Sequence, residues 1–205
     1  MEKKALWKEA TGWLYKSVLI YSLAGIVGGV LAVIAAFAMM GSALEGDIFG
    51  AAESADALDT IAMIVNIVVL GGYALFFVYA GKFRELLSGD DANAAGSLRT
   101  AHLLLAVGTL LCILPIPFVE YIAGIIDLIA WFMLLSAYGK LMNSTSLPEL
   151  AAAGMKKLRK AMLLSVIGAI IAFIPFIGFV GGILTLIAFF MTLKGWSMVA
   201  KSEIE

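Results

Sequence analysis

Asp127 is the residue in this chain best placed to do chemistry. It stands about midway along residues 119–138, a run that is otherwise almost wholly apolar. A carboxylate at that depth is costly in hydrocarbon and is expected to face a bundle interior or a cavity. Glu120 is seven residues earlier, Gly124 three earlier and Trp131 four later, so at helical spacing the four share roughly one face. Asn66 is the other polar group deep in an apolar run. Two kinds of chemistry fit such a set. Asp127, Glu120 and Asn66 can line a polar path for an ion or solute, or Asp127 can cement helices through hydrogen bonds.

The remaining reactive residues form no constellation. One His and one Cys with scattered acids make no three- or four-ligand metal set, so no metal and no cofactor is expected. His102 is the only candidate base, and its position suggests a polar group at headgroup level. Cys112 sits in an apolar run, and as a lone cysteine it leaves no disulfide within one chain. Gly25, Gly28 and Gly29 lie deep in an apolar helix, where close packing outweighs phosphate binding. The chain is therefore not expected to be an enzyme.

The elements that position these residues belong in a membrane. Hydrophobic residues make up 62% of the 205, and mean hydropathy is +1.03. Those values lie outside the range of soluble domains. With a net charge of −1 there is no basic field for nucleic acid. Membrane lipids are the expected partners, with self-association as a further expectation, and a small-residue stripe at Gly25, Gly29, Ala32 and Ala36 lets another helix approach closely. The fold expected is an all-α integral membrane bundle of six helices in one domain. Three tandem hairpins compose it, over residues 17–80, 101–138 and 161–196. Residues 1–16 form a basic lead in which Trp7, Trp13 and Tyr15 alternate with lysines, a pattern suited to the membrane interface. That lead resembles the start of a signal peptide, but residues 17–40 are of spanning length, so a retained first helix is expected.

A duplication underlies the last two hairpins. Shifting by 58 residues lays 116–139 on 174–197 with 11 of 24 positions identical, among them Ile116-Pro117-Phe118 on Ile174-Pro175-Phe176. Apolar composition alone would give only about 10–15% identity and would not align the prolines. Pro115, Pro117, Pro175 and Gly178 are thus the expected hairpin turns. The connectors follow the same shift: Ser88-Gly89-Asp90-Asp91 matches Ser146-Leu147-Pro148-Glu149, each a Ser-x-x-acid capping box. Asp127 aligns with Thr185.

All 14 basic residues fall in the lead, in 81–100, in 139–160 or after 193. Residues 41–60, read as an acidic loop, and the two proline turns have none. The positive-inside rule then puts both ends of the chain and the basic connectors in the cytoplasm, with the protein in a plasma (inner) membrane. Lys156, Lys157, Arg159 and Lys160 are candidate contacts for lipid headgroups. Hairpin 3 is short. About 16 residues per arm reach ~24 Å, against a hydrocarbon core of ~30 Å. Its arms either extend into 151–160, with lysines reaching for the interface, or the hairpin enters without crossing. The role expected is helix- or lipid-organising, with the small transporter or channel as the alternative.

Overall fold

A computed structural model describes residues 2–114, 116, 118–172, 174 and 178–204. Six α-helices account for nearly all of them: α1 (Glu2–Leu44), α2 (Ile48–Glu85), α3 (Gly89–Ile113), α4 (Val119–Leu141), α5 (Glu149–Ala172) and α6 (Gly178–Lys201). Helix is the form that satisfies every backbone group within one apolar segment. Five of the six are long and apolar enough to cross a membrane. The sixth, α5, has Lys156, Lys157, Arg159 and Lys160 in its first half, which shortens its apolar stretch.

Short connectors make successive helices antiparallel neighbours. Each helix packs on the next in the chain, and α6 returns to pack on α1. Among the described residues no pair across the middle is in backbone contact. The six helices therefore form a closed ring. At one end, here the basic end, the ring is tightly filled by Trp7, Leu14, Phe76, Phe83, Leu98, Leu141, Met155, Leu158, Trp196 and Val199, all buried. Toward the other end buried residues become sparse. There α1 and α6 part around an apolar groove of about 540 Å³ between Ile26, Val30, Val33 and Ile34 on one side and Leu186 and Phe189 on the other. Large apolar side chains such as Phe37, Ile125, Phe132, Ile170 and Phe190 point outward all round. So much exposed apolar surface is compatible with a multipass membrane protein.

Several local expectations are corrected here. Residues 2–16 are not a separate surface element: they are the first turns of α1, and Trp7 is only 1% exposed. Its indole Nε1 donates to the Ser202 carbonyl at 3.0 Å, and its ring lies 5.4 Å from that of Phe83. Trp13 is stacked on Tyr79 at 5.3 Å with the Lys16 ammonium 4.4 Å from its ring centroid. Residues 41–60 are not a loop either. α1 and α2 run through them and turn only at 45–47, where Gly46 takes φ +77° and Asp47 Oδ1 accepts from Gly50 N at 2.9 Å. At ~1.5 Å per residue, this tip overshoots the other hairpins by about 20 Å.

The stripe at Gly25 and Gly29 is not the α1–α2 contact: neither residue has an atom within 4 Å of where its Cβ would stand. Gly28 is the contact, with Val65 Cγ2 2.6 Å from the equivalent point. The Ser88-x-x-Asp91 capping box does not form. Ser88 makes no side-chain cap bond, and Asp91 instead accepts from Ser144 Oγ at 2.6 Å and from Ser146 Oγ. Ser144 Oγ in turn accepts from Ser146 N and Leu147 N, both at 3.1 Å. This network ties the head of α3 to the α4–α5 connector.

Candidate functional site: a central chamber

Above the filled basic end the ring encloses a chamber of about 150 Å³. Every helix contributes to its wall: Tyr21 from α1, Tyr73 from α2, His102 and Leu105 from α3, Trp131, Leu134 and Tyr138 from α4, Leu158, Met162 and Ser165 from α5, and Thr192 from α6. Antiparallel packing brings these positions to one level, most of them from the middle of a helix and Tyr138 from the last turns of α4. With ~30 Å³ per water, the space suits a few waters or one small solute.

His102 sets the chemistry. It is 1% exposed, and its ring stacks on Phe76 with centroids 3.4 Å apart and planes 10° apart. Nδ1 lies 2.9 Å from the Leu98 carbonyl. A carbonyl only accepts, so Nδ1 carries the proton, and in the neutral ring Nε2 is left as an acceptor for whatever occupies the chamber. Tyr21 and Tyr73 pack around the same imidazole, at 6.1 and 5.9 Å between centroids. The hydroxyls of Tyr21, Tyr73 and Ser165 make no hydrogen bond to another described residue. Thr192 Oγ1 is satisfied by the Ala188 carbonyl at 2.9 Å. Tyr21, Tyr73 and Ser165 are half-buried and line this space together with His102, so the wall offers polar groups to a small guest.

The residues singled out in the sequence are not gathered into one path. Asp127 does not line the chamber. It packs on Gly108 of α3, whose missing side chain makes the room, and lies within electrostatic range of Tyr73. Its Oδ1 is buried with no hydrogen-bond partner. Asn66 lies in a separate groove of about 350 Å³ between α1 and α2, with Gly28, Gly29 and Asp59. Glu120 is in the first turn of α4, and its side chain lies outside the described set, as do Pro115, Pro117 and Pro175. Gly178 is the first residue of α6. Of the expected Asp127 face, Trp131 reaches the chamber, whereas Gly124 is exposed with nothing within 4 Å of its missing Cβ. His102 is buried in the chamber wall, one helical turn from Arg99. On α5, Lys156 and Lys160 are exposed, while Lys157 and Arg159 are half-buried.

Thr185 repeats the Asp127 arrangement, with its Oγ1 2.9 Å from where a Cβ on Gly168 would stand. Asp127→Thr should therefore fold and insert, with melting in detergent at or above that of the parent, because an unpartnered buried oxygen is removed. A fall of more than a few degrees would show that the carboxylate binds helices together. The chain matches no protein-family model, no curated protein and no solved structure.

Proposed function

We propose that this is a multipass membrane protein whose six-helix ring holds a small polar solute in its interior, in a transport or solute-sensing role and without catalysis. The observation that carries the reading is the chamber itself. All six helices supply its wall, and Tyr21, Tyr73, Ser165 and His102 in that wall have hydroxyls or a ring nitrogen without a hydrogen bond to another described residue. Polar residues serving only as helix cement would be bonded to one another across the seams. His102 has neither a carboxylate nor a thiol beside it in the chamber wall, which favours binding over catalysis.

The finer topology belongs to the same proposal. All basic residues lie toward the filled end of the ring, which supports a cytoplasmic location for that end in a plasma membrane. Three tandem hairpins, the last two duplicated, are supported by the paired packing of Asp127 on Gly108 and Thr185 on Gly168. The helix-organising, self-associating role keeps one observation in its favour: Gly25, Gly29 and Ala36 lie exposed along the outer half of α1.

Single cysteines in a Cys112→Ala background test both parts. Ala52→Cys should react with an impermeant maleimide on intact cells, and Thr145→Cys should not; the reverse pattern overturns the orientation. Ser165→Cys should react with a small water-soluble thiosulfonate far faster than Phe190→Cys, which points outward. Equal slow rates at the two positions would mean a dry chamber and would end the solute reading.

A further inference from the structure

The seams between hairpins at the basic end carry a second feature, independent of the chamber. On α3, the Arg99 guanidinium lies across Gly81 of α2, with Cζ and Nε each 3.5 Å from where a glycine Cβ would stand. The guanidinium Cζ is also 4.1 Å from the Phe77 ring centroid. Arg84 reciprocates from α2, its Nε 3.5 Å from the same point on Gly96. Between α4 and α5 the arrangement recurs: Arg159 Nε lies 3.4 Å from the Cβ position of Gly139. Gly81-Lys82 and Gly139-Lys140 are 58 residues apart, and Arg99 and Arg159 are 60 apart.

These guanidiniums are unpaired. The Nε atoms of Arg99 and Arg159 are buried without an acceptor. Arg99 makes no hydrogen bond to a described residue, and Arg159 makes only one weak contact, Nη1 to Met142 Sδ at 3.8 Å. Among the described residues the one salt bridge of the chain is Lys82 with Glu9, so no carboxylate neutralises either arginine. With Nε buried and no carboxylate beside it, each guanidinium gains from an anionic ligand that supplies the counter-charge. Each arginine directly precedes the long apolar stretch of its helix, which begins at Ala101 or Ala161 and sets the depth at the headgroup layer. Arginine presents a planar fork of donors that matches phosphate oxygens.

We propose that the α2–α3 and α4–α5 seams are two equivalent sites for the phosphate of an anionic phospholipid. In each, the outward nitrogens of Arg99 or Arg159 donate to its oxygens, and Arg84 adds a second cation to the first site. The α6–α1 seam differs. It has no arginine, its Lys4, Lys8 and Lys201 surround a pocket that also contains Glu203, and Trp7 closes it. It is not expected to bind this headgroup equally well.

The test uses the full chain in mild detergent, with native mass spectrometry and thermal melting. Phosphatidylglycerol is the probe, and phosphatidylcholine and sodium phosphate are the comparisons. The parent should retain one phosphatidylglycerol per seam in preference to phosphatidylcholine. Arg99→Gln and Arg159→Gln should each weaken one site about tenfold, the effect of losing a charge-assisted hydrogen bond. The double variant should lose both sites, and Arg99→Lys should fall between. Undiminished phosphatidylglycerol on the double variant overturns the proposal, as does equal retention of the two lipids by the parent. Equal protection by sodium phosphate would assign the sites to free phosphate and overturn the lipid. If a glutamine variant fails to fold, the parent decides alone: phosphatidylglycerol must raise its melting temperature more than phosphatidylcholine does.

Discussion

Gly181→Ala should lower the melting temperature by several degrees, while Gly182→Ala, one residue on, should leave it unchanged or raise it. The opposite signs come from the α5–α6 crossing. A Cβ on Gly181 would stand 2.6 Å from the backbone nitrogen of Ala172 and closer still to the Gly168 carbonyl. Backbone cannot swing aside as the end of a side chain can, so α5 and α6 must separate. Overpacking of this kind costs about 1–3 kcal/mol, or roughly 2–12 °C for a chain of this size. At Gly182 nothing lies within 4 Å of the same point. Only helix propensity acts there, and it favours alanine by about 1 kcal/mol. Melting of the two purified variants side by side checks the contrast, and equal shifts would mean that the crossing is not close.

Trp7→Ala should be the most damaging single change at the basic end. The indole is buried, tilted against Phe83 and bonded to the Ser202 carbonyl, so its removal opens a void where α6 closes on α1. Truncating a buried tryptophan costs about 3–5 kcal/mol. Trp7→Phe keeps most of the packing and gives up the N–H donor, a loss of about 1 kcal/mol. The expected order of melting temperatures is therefore parent, then Phe, then Ala, with the larger gap at the second step. An alanine variant as stable as the parent would remove Trp7 from the closure of the ring.

Both results turn on contacts that the sequence only partly announces. The apolar runs, the short connectors and the segregation of basic residues are written in composition and spacing, and the helices follow from them. What is lost is the identity of the inward face. Trp7 among lysines has the composition of an interfacial lead, and only Ser202, 195 residues away, makes it a core residue. Residues 41–60 look like a loop because they are acidic, yet alanine and leucine keep them helical until Gly46 breaks the run. Gly25, Gly28 and Gly29 are equivalent by type, and the position of Val65 selects Gly28.

The site was legible in the same uneven way. Asp127 stood out because charge is rare in apolar helices, and it does lie beside the chamber. Tyr21, Tyr73 and Ser165 did not stand out, since tyrosine and serine are ordinary in such helices. Tyrosines in mid-helix rather than at the ends were the available signal. His102 begins an apolar run, which bears on its depth alone, whereas its stacking on Phe76 and its bond to Leu98 show a side chain buried within the ring.

The ring has a consequence for how the chain is assembled. Five of its six seams join helices that are consecutive in sequence, so each can form as soon as the second helix enters the bilayer. The sixth seam, α6 on α1, joins opposite ends of the chain and must await the last helix. Closing so long a loop is slow compared with local pairing. Until that happens, Tyr21, Tyr73, His102 and Ser165 line an open trough facing hydrocarbon rather than a sheltered space. The Trp7–Ser202 latch is thus a late checkpoint that withdraws the polar wall from lipid.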